Sequence, residues 1–299
     1  MPRGARRKRL ASPTRLTRFG RRDNVQLLHD AECRFEMQNM SSVDKALQIL
    51  LLLAREPGPL GVREIGRRLG MSAPTVHRLL TTLSTYDLVQ HINGKSEYRL
   101  GWACLGLGRA VLSGTEFAQA AQEIARALRD ATEETVTGQV RVGGEQVVVV
   151  EAEGLHELRR RVGVGRRIPL HAGASGRAML AFLPSEEVER YLAQPLTKIG
   201  PNTITDPIEL QARLAEVHRL GYATSFEESV TGVGAASVPI FGDDGRVAGS
   251  LSVSGPEARI GVDLEQRIVP LLLDAGEALS KALGYRAPEG RGQLVGSVR

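Results

Sequence analysis

The chain has little of what metal sites, disulfides and membrane spans require. Its 299 residues include two cysteines, Cys33 and Cys104, and six histidines. Two such cysteines give neither the density of a disulfide framework nor the spacing of zinc ligands. Cys104 reads as a thiol packed inside a helix rather than as a nucleophile. His156, His171 and His218 are scattered, without ligand spacing and without a nucleophile motif beside them. No metal, no cofactor and no catalytic residue is therefore expected. Gly163-Val164-Gly165 is not a dinucleotide fingerprint, because the third glycine is missing and no helix follows. No apolar run approaches the roughly 20 residues of a membrane helix. Nor is the basic N-terminus followed by the apolar core of a signal peptide. The expectation is a protein of the reducing cytoplasm with no membrane partner.

The formal net charge of +5 is unevenly spread. Residues 1–40 carry ten Lys/Arg against four Asp/Glu, residues 41–101 eight against five, and residues 102–299 twenty-one against twenty-five. A basic N-terminal part ahead of an acidic remainder is a weak pointer to nucleic acid. The first forty residues, with Arg6-Arg7-Lys8-Arg9 and little apolar periodicity, read as a disordered basic extension. Either it is an arm on DNA, or translation begins at Met37 or Met40. The helix cap starting at Ser41 favours the second. Residues 286–299 read as a flexible tail.

The richest stretch is residues 62–100, VREIGRRLGMSAPTVHRLLTTLSTYDLVQHINGKSEYRL. Val62, Ile65 and Leu69 share one helical face. Gly70 suits the left-handed position that ends a helix. Ser72 can cap the next helix, in which Pro74 is tolerated in the first turn. Val76, Leu79, Leu80 and Leu83 form its buried stripe. Ala73, Thr75, His77, Arg78 and Thr82 lie opposite, near the end of a recognition helix that meets base edges. Arg78 can pair with a guanine or a phosphate, while Thr75 and His77 can read a base edge or hold the backbone. Asn93-Gly94 between two alternating runs is a strong hairpin signal and puts Lys95 at the tip of a wing. Upstream, Ser41-Ser42-Val43-Asp44 resembles a capping box and opens an apolar helix from Val43 to Ala54. Residues 41–101 thus read as a winged helix-turn-helix that binds double-stranded DNA, with recognition helix Ser72 to Ser84. An ordinary helical pair lacks the small, polar second face and the wing.

Residues 102–114 read as a linker helix and residues 115–285 as a second domain. An amphipathic helix over 115–134 is followed by strands at 137–142 and 147–150, with another expected over Leu158 to Val162. Leu170 to Leu183 opens a helix with small residues, and Ser185 starts the next. Asp206-Pro207-Ile208-Glu209 has the cap, first-turn Pro and Glu of a helix running to Leu220, where Gly221 ends it. Strands follow at Tyr222 to Glu228, Ala235 to Phe241 and Val247 to Ser254. A last helix begins at Asp263 and closes at Gly284. The fold class is α+β, an antiparallel sheet with helices packed against it.

Within this domain Ala174-Ser175-Gly176 leave backbone N–H groups open at a helix start, where the dipole favours an anion. Ser252 and Ser254 alternate on one strand face, and Glu227-Glu228 precede Gly232 in a loop that can line the same space. The competing reading is that small residues only permit close packing and that the serines face solvent. Arg159-Arg160-Arg161 with Arg166-Arg167 can attract an acidic ligand, or form a solvated or subunit-facing strand edge. The edge is the favoured reading.

Taken together, VREIGRRLGMSAPTVHRLLTTL, PLHAGASGRAMLAFLP, GYATSFEESVTGVGAASVPIFGDDGRVAGSLSVSGP and the closing helix resemble the IclR family of bacterial transcriptional regulators over about residues 41–285. The resemblance implies an N-terminal winged helix, a linker helix and a C-terminal GAF-like effector-binding domain. It implies homodimers, or tetramers built as dimers of dimers, on palindromic operators, and effectors that are small organic acids or aromatic catabolites. It places the effector at Ala174, Ser175 and Gly176, at the loop of Glu227, and at Ser252 and Ser254. Two departures stand out. Ser229, Val230 and Thr231 precede Gly232, where the family carries more acid and a proline. Ala235 stands where many members have cysteine. That wall is less polar, which favours a bulkier or more apolar acid. The expected function is a ligand-responsive repressor. The alternative is a constitutive sensor, or an enzyme whose helix-turn-helix is a protein-contact module.

Overall fold

The computed structural model describes residues 41–92 and 95–286. The extension over 1–40, the Asn93-Gly94 turn and the tail beyond residue 286 lie outside the described residues. The chain divides into two compact units, the first ending at Gly108 and the second beginning at Arg109.

In the first unit, α1 spans Ser42–Arg55. Its capping box is closed: Ser41 Oγ accepts from Asp44 N–H, and Asp44 Oδ2 accepts from Ser41 N–H, both at 3.1 Å. β1 (Leu60–Gly61) leads into α2 (Val62–Leu69), which Gly70 ends at φ 62°. α3 (Ala73–Thr85) follows, with Ser72 in extended backbone accepting from Thr75 N–H. β2 (Val89–His91) and β3 (Glu97–Leu100) make the wing, and with β1 form a sheet in the order β1-β3-β2. Ile49 and Leu53 of α1, Ile65 of α2, Val76, Leu80 and Leu83 of α3, and Val89 and Tyr98 of the wing close one apolar core. The three helices are therefore fixed by their buried stripes, and the opposite face of α3 is left to solvent.

The division at Gly108/Arg109 falls inside α4 (Ala103–Ser113), the helix expected over 102–114. α5 (Glu116–Thr132) opens the second unit's main layers. Six antiparallel strands follow: β4 Thr135–Val142, β5 Glu145–Ala152, β6 Arg167–Pro169, β7 Ala223–Phe226, β8 Val233–Phe241 and β9 Val247–Pro256. Their order is β6-β5-β4-β9-β8-β7. Between β6 and β7 lie α6 (Ala174–Leu180), α7 (Ser185–Leu192) and α8 (Pro207–Leu220). In α8, Asp206 Oδ1 accepts from the N–H groups of Ile208 and Glu209 (2.8 and 2.9 Å), and Gly221 ends the helix at φ 79°. After β9 come α9 (Glu257–Asp263), a π turn over Leu264–Ile268 and α10 (Val269–Ala282).

Strand alternation sorts this sheet into two unlike faces. Val136, Leu251 and Val253 join Phe117, Ala121 and Leu128 of α5 and Leu272 and Leu279 of α10 in the large core. Thr135, Thr137, Ser252 and Ser254 point to the other side, where Thr135 pairs in register with Ser254 and Thr137 with Ser252. All four are buried.

Three expectations are corrected. Leu158 to Val162 is not a strand. Its backbone is held by side chains instead of a ladder: Thr135 donates to Arg160 O (2.5 Å), Arg259 to Leu158 O (2.8 Å), and Val162 N–H to Glu151 (2.7 Å). The short strand beside β5 is β6, further on. The strand expected to reach Glu228 stops at Phe226, because Glu227 takes a left-handed backbone at φ 57°. The last helical run starts at Glu257 rather than Asp263, since fully buried Ile260 anchors it before Gly261. Pro270 then has no N–H to donate to the preceding turn. The chain passes it through the π turn, where Val269 N–H reaches back to Leu264 O.

Asp206→Ala removes an acceptor from two helix N–H groups. It is expected to cost about 1 kcal/mol, read as a lowered urea midpoint at unchanged slope.

Candidate functional site

On the first unit, Ser72, Ala73, His77, Arg78 and Thr82 are exposed and Thr75 is half-buried, all on the side of α3 away from its core. Part of their hydrogen bonding is already used. Ser72 and Thr75 hydroxyls are 2.8 Å apart, and Thr82 donates to Arg78 O (3.2 Å). Glu64 bridges Arg67 and Arg68 at 2.6 Å each, and these two hydrogen-bonded cations hold its carboxyl down to about 2. The α2 arginines are thus partly neutralised. Arg78 on α3 and exposed Lys95 on the wing make no ion pair among the described residues. Their charge is available to an external anion.

The second unit holds a small cavity of about 50 Å³ beneath the polar face of the sheet. Gly173, Ala174 and Ser175 line it from the start of α6, and Ala235, Ser252 and Ser254 from β8 and β9. The structure thus brings Ala174, Ser175, Ala235, Ser252 and Ser254 to one place. It does not bring Gly176 or Glu227 there. A Cβ on Gly176 would lie 2.2 Å from Leu170 O, so this glycine serves close packing. Glu227 instead accepts from Gly232 N–H at 2.7 Å and closes its own loop. Its neighbour Glu228 lines the cavity.

Glu228 is bound bidentately by Arg177, through Nη1 to Oε2 and through Nη2 to Oε1 at 2.8 Å. Oε2 also accepts from Gly173 N–H (3.2 Å), and Arg177 donates to Thr224 O. Both side chains are more than nine-tenths buried. The pair ties α6, its entry turn, β7 and the loop before β8 into one wall. Arg177 was absent from the sequence reading, where it stood as one polar letter in a run of small residues. A buried carboxylate needs such a partner, and Glu228 was the signal that one should exist.

Hydrogen bonding in the cavity is uneven. Ser252 donates to Ala236 O (3.0 Å), and Gln139 is paired with Thr137 and Ser250. Gln146 Oε1 and Ser254 Oγ, both buried and both on residues lining the cavity, have no partner among the described residues. Buried polar atoms are rarely left so without a reason. Arg160 also lines the space, contrary to the solvated-edge expectation that Arg159 and Arg161 do meet by pairing with exposed Glu153.

Comparison with known proteins decides the family. The IclR helix-turn-helix domain matches residues 42–92, and the bacterial transcriptional regulator IclR C-terminal domain matches residues 109–281. The chain belongs to the IclR family. The HTH-type transcriptional regulator KipR of Bacillus subtilis is 32% identical over 251 residues, covering 83% of this chain and all of that protein. The HTH-type transcriptional repressor AllR of Escherichia coli is 29% identical over 82% of this chain and 91% of its own length. An IclR homologue from Microbacterium hydrocarbonoxydans, solved with 4-hydroxybenzoate, superposes with a TM-score of 0.69 at 23% identity, over 81% of this chain and 99% of that one.

Membership makes the protein a transcriptional regulator whose helix-turn-helix binds DNA, and not an enzyme. No described helix is long and apolar enough to cross a membrane. Among the described residues no group of three His, Cys, Asp or Glu side chains could hold a metal.

In this IclR-family chain, Glu228→Leu leaves the Arg177 guanidinium buried without its counter-charge. It is expected to lower unfolding free energy by about 3–5 kcal/mol, measured by urea titration. Gly176→Ala, which must push α6 away from Leu170, is expected to cost about 1–3 kcal/mol in the same assay.

Proposed function

We propose that this protein is a ligand-responsive repressor. Its α3 face reads a palindromic operator, and its polar cavity takes a small organic acid. The observation that carries this reading is the pair of orphaned polar atoms, Gln146 Oε1 and Ser254 Oγ, in a buried cavity of a chain that also carries a DNA-binding domain. The repressor sense leans on AllR. The small-molecule sense is consistent with the 4-hydroxybenzoate held by the Microbacterium homologue.

Cavity size refines the ligand. A water needs ~10–15 Å³, so about 50 Å³ has room for only a handful of atoms. Thr137, Gln139, Ser175, Ser225, Ser252 and Ser254 contribute to a lining that is half polar and half apolar. A short polar acid suits this space better than the bulky or apolar acid that Ala235 alone suggested.

The acting species is a homodimer in this proposal. Val43, Leu47 and Leu51 form an exposed apolar stripe along α1 at four-residue spacing, and α4 buries none of its residues while exposing Leu105, Leu107 and Val111. A second copy is the partner that a palindromic site demands, with half-sites spaced by a helical turn or a multiple of it. Effector binding shifts the arrangement of the two DNA-binding units to the extent that the acid prefers one state.

DNA upstream of the chain's own coding region is the first probe. A salt-dependent gel shift in the presence of competitor is expected, and its absence would defeat the operator reading. Arg78→Ala should weaken specific binding by roughly 1–3 kcal/mol if Arg78 forks onto a guanine; an unchanged affinity removes it from the interface. Ser175→Trp should fill the cavity and abolish any shift in melting temperature by small carboxylic acids; a retained shift removes Ser175 from the site.

A further inference from the structure

The run Arg159-Arg160-Arg161 divides by direction. Arg159 and Arg161 reach Glu153 at 3.0 and 2.9 Å, while Arg160 between them lines the cavity. The outer two arginines are thus spent on Glu153, and the middle one is left to the cavity. Thr135 holds it there. Its hydroxyl donates to Arg160 O (2.5 Å) and accepts from Gly154 N–H (2.9 Å). Thr135 is also the residue that pairs across β4 and β9 with Ser254. Arg160 and the unpartnered hydroxyl of Ser254 therefore flank the same residue at one end of the cavity.

Arg160 is half-buried, and among the described residues its guanidinium makes one hydrogen bond, to Arg161 O (2.9 Å). No carboxylate lies within 4.0 Å of it among the described residues. Glu151, whose charge acts on it, already accepts from Val162 and Gly163 N–H at 2.7 and 2.8 Å. Burial and the neighbouring Arg166 push the Arg160 guanidinium down from its ordinary range. Buried Arg177, by contrast, is matched by Glu228. Glu151 opposes the push on Arg160 through its charge but does not touch the guanidinium, and a planar fork of N–H donors matches a carboxylate.

We propose that Arg160 receives the carboxylate of a short monocarboxylic acid, with Ser254 Oγ–H as the second donor to the same group. This rests on the acid-sensing reading above and names the residue that makes the cavity select an acid over its neutral analogue. Gln146 is not part of this subsite. It sits on β5 opposite Arg141 and lines another part of the same cavity.

The test uses the full chain, with acetate, propionate and lactate against acetamide, propionamide and lactamide, followed by calorimetric titration and thermal melting. Wild type is expected to bind at least one acid and to bind its amide more weakly. Arg160→Gln should weaken that acid by about ten- to hundredfold, the range for a hydrogen bond to a charged group, and leave the amide's affinity unchanged. Arg160→Lys, which keeps the charge, should recover part of the loss. Ser254→Ala should lower acid affinity by a smaller factor. A merely structural role for Arg160 would weaken acid and amide alike, and that outcome overturns the proposal. So does an Arg160→Gln variant that binds the acid as wild type does, while the acid-sensing reading survives. If wild type binds none of the acids, both fall. Should Arg160→Gln melt as an unfolded chain, Arg160→Lys and Ser254→Ala decide by the same acid-to-amide ratio.

Discussion

The buried ion pair between Arg177 and Glu228 is the constraint on which the ligand-binding unit depends. Each side chain alone would be a charge stripped of water, a cost of several kcal/mol. Together they satisfy one another in a bidentate fork and reach out to Gly173 N–H and Thr224 O. The fork sets the start of α6 against the loop before β8, and both segments line the cavity. Glu228 is therefore committed to structure, and its charge is not available to repel an incoming anion.

One sheet performs two tasks because its strands alternate. On β9, Leu251 and Val253 enter the large apolar core while Ser252 and Ser254 enter the cavity. Slipping the register by one residue would exchange the faces and destroy both. The polar face is nearly self-satisfied: Ser237 donates to Leu251 O, Ser252 to Ala236 O, and Gln139 pairs with its neighbours. Against that background, Gln146 Oε1 and Ser254 Oγ are the exceptions, without a partner among the described residues. In the DNA-binding unit the buried stripe of α3 closes the core, and the small and basic groups on its other face are turned outward.

Local signals were legible wherever short-range chemistry decided the outcome. The capping box at Ser41, the turn at Gly70, the Ser72 cap and the Asp206 to Gly221 helix could all be read from sequence, since each depends on residues within a few positions. What sequence hid was long-range. Arg177 and Glu228 are 51 residues apart, so their pairing has no local mark. The loop at Leu158 to Val162 reads as a strand because its apolar ends flank a short polar run. It becomes a loop because Thr135, Glu151 and Arg259, all distant in sequence, take its backbone groups. Within one cluster of arginines, only the pairing of the outer two with Glu153 reveals that the middle one faces inward. Gly176 and Glu227 looked like site residues by type and position, and steric contact with Leu170 and a turn bond to Gly232 gave them other work.

The proposed function joins a DNA-binding surface to an acid-binding cavity in one equilibrium, and such coupling is reciprocal by thermodynamic necessity. The direct measurement is the affinity of the full chain for a cavity-binding acid with and without saturating operator DNA, paired with its operator affinity with and without saturating acid. The account predicts that both affinities fall, and by the same factor. Acid affinity indifferent to operator DNA, with operator affinity indifferent to acid, would contradict it.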